Sequence, residues 1–288
     1  VDGNPDEWTA DMIIAQGVAN DDPRIFRGSH EGPVYDPYAL YAAWDDVNLY
    51  LMWQFTNVTD VVDPAQGYPI SDNGKPYQLD IPQAIALDVI PNRGGDGVVY
   101  DGTNAGVWGM QHSFTNKEVD HLLMFSSKPG VGQPSIFSLN DDDEFDYAPA
   151  NVTGFTAAGV TYAYGDGFHG TEMLGIKQNG HQGYTPDDLI DPSNFVNLLE
   201  HGHDTAQDTV YEMKIPLASL GINRATLESQ GISAMFIATF GAGAIGSLPY
   251  DPATLDNALL PYPSDTSTSL EKEDWDEFSA QFALIGRL

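Results

Sequence analysis

The stretch YAAWDDVNLYLMWQFTNVTD, residues 41–60, decides how the chain is read. Two apolar runs flank the turn-forming Asp45-Asp46-Val47-Asn48, and the second run carries Tyr50, Trp53 and Phe55. Side chains of a strand alternate between its faces, so Leu49, Leu51, Trp53 and Phe55 share one face, and Tyr50, Met52 and Gln54 share the other. Four large apolar side chains in line predict a core face packed on a second sheet. The competing reading, an aromatic platform open to a ligand, would leave Trp53 without that packing. The stretch is therefore read as scaffold, and a binding surface has to be sought in the loops.

Further short segments rich in β-branched and aromatic residues, bounded by Gly, Asn, Asp and Pro, predict strands at 39–44, 84–90, 135–139, 160–164, 171–176, 209–215, 232–240 and 280–285. Helical signals are few. Asp191 and Pro192 can open a helix that runs to Leu199, and Asn223 can cap one over 225–229 that Gly231 stops. Thr115-x-x-Glu118 has the form of a capping box, yet the following VDHLLMF fits either strand or helix. Segments 59–83 and 245–274 are rich in Pro, Asp, Ser and Gly, and such long connections are commonly functional or ordered by a bound group. No composition break or internal repeat divides the chain. The expectation is all-β: residues 1–288 as a single elaborated β-sandwich with long loops and a few short helices.

Charge narrows the partners. The chain carries 11 Lys and Arg against 42 Asp and Glu, a formal net charge of −31, which repels phosphate backbones and anionic membrane surfaces. Neutral sugars and cations remain, and most of the carboxylates are accounted for by solubility alone. The absence of cysteine excludes disulfides, zinc–thiolate sites and cysteine catalysis. No apolar run approaches the ~20 residues of a membrane-spanning helix. With no leader visible, a start at Val1 reads as a mature product or an excised module.

Three stretches in order carry a resemblance. VDGNPDEW (residues 1–8) joins two turn formers to an anchoring Trp8; the 41–60 stretch follows; VYEMKIPLASLGI spans residues 210–222. Together they resemble the opening, the paired strands and the late Glu-x-x-Ile-Pro-Leu strand of family 9 carbohydrate-binding modules and their DOMON-like relatives. This chain is longer than those modules, with the excess in its loops. In size, and in its last segment YDPATLDNALLPYPSDTSTSLEKEDWDEFSAQFALIG, it resembles the larger starch-binding carbohydrate-binding module family 74. That resemblance implies a secreted, non-catalytic module covalently linked to an amylase, an extended aromatic groove for double-helical starch, and structural calcium.

A glucan needs flat aromatic faces for its C–H surfaces, flanked by polar groups for its hydroxyls. Loop context nominates Trp108, set between small residues in TNAGVWGMQHS, then His30 in RGSHEGP, Tyr68 in AQGYPISDNGKP, Phe26 and His112. For each the alternative is an ordinary loop anchor or a solvated side chain. Trp275, and with it Trp8 and Trp44, is read as packing.

For calcium, which takes oxygen ligands, Asn140, Asp141, Asp142, Asp143 and Asp146 crowd LNDDDEFD, and Asp88, Asp96, Asp274 and Asp276 are further candidates. No EF-hand pattern is present, and a solvated acidic turn explains the cluster equally well. His201 and His203 read as a solvated pair. A hydrolase needs two carboxylates across a cleft, but among 42 acids such pairs arise by chance. Beside the starch module stand a xylan- or cellulose-binding module, a glycoside hydrolase or lyase, and a haem- or sugar-binding DOMON domain.

Overall fold

The computed structural model describes residues 1–17, 37–55, 83–100, 112–115, 118–126, 132–165, 209–240, 243–254 and 276–287. The expected strand at 171–176 and the helix ending at Leu199 lie outside them. The opening stretch forms the antiparallel pair β2 (Pro37–Trp44) and β3 (Asn48–Phe55). Its turn is closed by Asp45, whose carboxylate accepts the N–H groups of Val47 (2.7 Å) and Asn48 (2.6 Å) and the Tyr50 hydroxyl (2.8 Å). Those bonds hold the Asp45 carboxyl down at about 2.

β1 (Ile13–Gln16) flanks β2, while β12 (Thr209–Pro216) and β11 (Thr161–Gly165) continue beyond β3. The result is a five-stranded antiparallel sheet in the order β1-β2-β3-β12-β11. A seven-stranded antiparallel sheet faces it. Its order is β10 (Val152–Gly154), β8 (Ser135–Ser138), β7 (His121–Phe125), β4 (Gln83–Asp88) and β13 (Ile232–Phe240). The far edge of β13 is shared by β14 (Gly243–Leu248) and β16 (Ala283–Ile285). The chain is thus predominantly β, in a sandwich-like arrangement with short helices α1 (Phe155–Ala158) and α2 (Arg224–Gln230).

Leu49, Leu51 and Trp53 do face the second sheet, within a core that also holds Ile85, Leu87, Leu123, Tyr211, Met213 and Ile215. Trp53 lies flat on Tyr211 of its own sheet (5.5 Å between centroids), and meets Phe236 (5.0 Å) and Phe125 (5.7 Å) from the other. Its indole N–H donates to Gln83 Oε1 at 3.0 Å, so the one polar atom of this fully buried ring is satisfied.

Several boundaries differ from expectation, each for a physical reason. Within VDHLLMF, His121–Phe125 is strand, with Leu123 and Phe125 facing the inner core and Leu122 and Met124 the outside of the sheet; burial on both faces erased the alternation. β4 stops at Asp88 because the N–H groups of Val89 and Ile90 turn to Asp120 Oδ2, both at 2.6 Å. β14 occupies the start of the expected 245–274 loop, its two glycines having read as loop. Residues 280–282 are not strand, and β16 begins at Ala283. α2 matches its signals: Asn223 caps it by accepting from Thr226 N at 3.0 Å, and Gly231 ends it with φ +76. No helix among the described residues is long and apolar enough to cross a membrane.

Outside the seven-stranded sheet lies a second apolar layer. Ala84, Ala86, Leu122, Met124, Phe137, Met235 and Ile237 of the sheet meet Phe114, Val119, Phe145 and Phe278. Two parallel pairs supply most of that cover: β5 (Val99–Tyr100) with β9 (Phe145–Asp146), and β6 (His112–Phe114) with β15 (Asp276–Phe278).

Candidate functional site

The first and last of the three resembling stretches meet on the outer face of the five-stranded sheet. Alternation along β12 sends Tyr211, Met213 and Ile215 into the core and Glu212 to the opposite side. There Glu212 is buried, with Oε2 accepting the N–H groups of Asp2 and Gly3 (both 2.7 Å) and Oε1 the Trp8 indole N–H (2.6 Å). Register places Glu212 beside Met52, and Met52 beside Tyr41. Trp8 closes this row edge-on to Tyr41 at 6.0 Å. A buried carboxylate would be costly alone; three N–H donors from one segment offset that cost and anchor the segment. Asp2, Glu7 and Glu212 are also the group of three acids among the described residues whose ligand oxygens lie within 4.8 Å of one another. Both Glu212 oxygens are already engaged, so a cation there would compete with the anchor.

The outer layer holds most of the remaining chemistry. His112, nominated as a sugar contact, is placed in β6 and buried between Phe114 (5.8 Å) and Phe278 (6.0 Å), neither ring nitrogen having a hydrogen-bond partner among the described residues. Burial pushes its imidazole down to about 4. His121, on the inner face of β7, is also held at about 4 by burial, but is satisfied: Nδ1 lies 2.8 Å from Ser138 Oγ and Nε2 lies 3.3 Å from the Leu220 carbonyl.

The acidic turn 140–146 closes on itself. Asn140 Oδ1 accepts from Asp142 N (2.8 Å) and Glu144 N (3.0 Å), and Asn140 Nδ2 donates to Asp146 Oδ2 at 3.1 Å. Asp146 Oδ1 accepts from Ala148 N (2.8 Å) and Asn151 Nδ2 (2.9 Å), which lowers its carboxyl, Asn151 most of all. Asp143 pairs with Arg93 at 2.6 Å, and Asp141 and Asp142 are exposed. The repulsion expected among these acids is met in part by the N–H donors to Asp146 and the Arg93 guanidinium on Asp143.

Asp96 accepts from Val98 N (3.0 Å) and the Tyr100 hydroxyl (2.7 Å). That bond, with some burial, pushes the Tyr100 phenol up to about 12. Between them Gly97 has φ +79, and a Cβ there would run into the Phe114 ring. Asp88 is pushed up to about 6, by burial first and then by the charges of Asp120 and Glu118. Asp120 is buried and raised too, against its two backbone N–H bonds, and its Oδ1 has no partner among the described residues.

The four other nominated sugar contacts, Trp108, His30, Tyr68 and Phe26, lie outside the described residues, as do Asp274, Trp275 and the 201–203 histidines. Among the described residues, Asp88, Asp96 and the 140–146 acids, which are alternative candidates, do not form a group of three acids as close as that at Glu212. Sequence reasoning noted Glu212 only as part of a resembling motif and passed over Asp120 and Tyr100. Comparison with models of known protein families gives no match, and comparison with curated proteins gives none.

Proposed function

We propose that the chain is a non-catalytic carbohydrate-binding module with a family 9-like fold, of the large starch-binding kind. It would hold granular or double-helical α-glucan and tether a covalently linked, secreted amylase to its substrate. The observation that supports it most is the meeting at Glu212. VDGNPDEW and VYEMKIPLASLGI, noted for their resemblance to one family, form a single anchored unit over the β2–β3 hairpin. Such a match between distant stretches is not required of an unrelated sandwich.

The charge of −31 fits the ligand class, since it disfavours nucleic acids and acidic polysaccharides but not a neutral glucan. Binding a polymer raises the local concentration of anything tethered to the module. The test is depletion from solution by granular starch, with microcrystalline cellulose and insoluble xylan beside it, for the wild type and Trp108→Ala. Loss to starch alone, weakened in the variant, is the expected result. Loss to cellulose or xylan instead moves the protein to another polysaccharide class. No loss to any of the three, or release of reducing sugar, overturns the proposal.

A further inference from the structure

We infer that Tyr100, with Asp96 and Asp146 beside it, is a stacking subsite for one pyranose ring of a neutral glucan; this rests on the α-glucan reading above. Two large aromatic rings are exposed among the described residues, Tyr100 at 47% and Tyr250 at 55%. They differ in how they are held. The Tyr100 backbone is paired with β9, and its hydroxyl donates to Asp96 Oδ2 at 2.7 Å. Asp96 cannot swing away, because its other oxygen accepts from Val98 N at 3.0 Å and the Phe114 N–H donates to its carbonyl at 2.7 Å. The Tyr250 hydroxyl has no such bond among the described residues.

The orientation of Tyr100 follows from its neighbours. Val99 and its register partner Phe145 turn into the outer apolar layer. Alternation therefore sends Tyr100 and its own partner Asp146 to the solvent side together. Asp146 is fixed by Asn140, Asn151 and Ala148, and its oxygens keep acceptor capacity beyond those bonds. An aromatic face fixed at root and tip thus stands beside two oriented carboxylates. Little side-chain entropy remains to be lost when a ligand docks, which favours such a ring over a free one.

The chemistry selects the ligand class. A pyranose offers a C–H face to the ring and hydroxyl donors to the carboxylates. Phosphate, sulfate or uronate groups would meet Asp96, Asp146 and nearby Glu144, whose charge also acts on Tyr100.

The test is titration calorimetry with soluble amylopectin on the wild type, Tyr100→Ala and Tyr250→Ala, with circular dichroism to confirm that each folds. Tyr100→Ala is expected to weaken binding about tenfold, and Tyr250→Ala to stay within about twofold of wild type. In parallel, the ring resonances of Tyr100 in the wild-type chain should shift on adding maltoheptaose while those of Tyr250 do not; this arm stands even if Tyr100→Ala fails to fold. A wild type that binds amylopectin, with Tyr100→Ala unchanged or the Tyr100 resonances unmoved, overturns the subsite and leaves the α-glucan reading intact. Equal weakening by the two alanine variants also overturns it. A wild type that binds no glucan overturns both.

Discussion

Two aromatic clusters sit on opposite faces of the seven-stranded sheet, and they are built differently. The inner one surrounds Trp53, whose N–H is bonded and whose neighbours come from strands of five to nine residues. The outer one surrounds Phe114 and Phe278, in strands of three residues, and contains a histidine with both nitrogens unpartnered among the described residues. Long ladders with an apolar face give stability cooperatively; short parallel pairs contribute few bonds and open more readily. The contrast teaches that the inner cluster specifies the fold. Each holds a buried polar group without a partner among the described residues, Gln83 Nε2 inside and His112 outside, and the outer one borders the exposed aromatic and acidic residues.

The largest effect should come from the inner cluster. Trp53→Ala would remove three ring contacts and leave Gln83 Oε1 unpaired, costing about 3–5 kcal/mol. Thermal denaturation should show a melting temperature lower by about 10 °C; a loss of only a degree or two would break the contrast at its stronger end. Glu212→Gln is next, at about 2 kcal/mol, because one end of the amide must present N–H to donors. Hydrogen exchange at the Gly3 amide and the Trp8 indole should rise with it. Unchanged protection would mean that the carboxylate does not hold the segment.

In the outer cluster the sign reverses. His112→Leu removes a buried polar group that bonds nothing among the described residues and should stabilise the fold by about 1 kcal/mol at pH 7. Its pH dependence sharpens the point. His112 and His121 have an ordinary value of 6.5 and a folded value of about 4, so the unfolded chain takes up protons first as pH falls. Stability is therefore lost between about 6.5 and about 4. Asp88 opposes this: raised from 3.8 to about 6, it contributes stability that is full below 3.8 and lost as pH rises through about 6. Melting at pH 7 and 4.5 should show a smaller acid loss in His112→Leu than in wild type, and an identical loss would remove His112 from the account. The smallest effect concerns calcium. The 140–146 turn has donors of its own, so stripping the structural calcium that the resemblance implies should lower the melting temperature by only about 2 °C, and no change on chelation would count against that calcium.

What could be read in advance follows the same division. The Leu49, Leu51 and Trp53 face announced itself by alternation, and α2 by Asn223 and Gly231. β14 did not, because its glycines carry no side chain to show a face. The paired strands of the outer layer are too short for any period to register, so nothing in the pattern singled out Tyr100. Glu212 stood in a stretch already noted, yet its role was hidden: the donors that bury it lie 204 to 210 positions away in sequence. Asn140 and Asp146 were visible as composition, but only the fold shows the amide and N–H groups that bond to them.

The central claim is recognition of a neutral α-glucan, and titration calorimetry with soluble amylopectin, beside soluble xylan and hydroxyethyl cellulose, tests it most directly. Saturable heat with amylopectin alone is the predicted result. Heat with xylan or the cellulose derivative instead, or with none of the three, would contradict it.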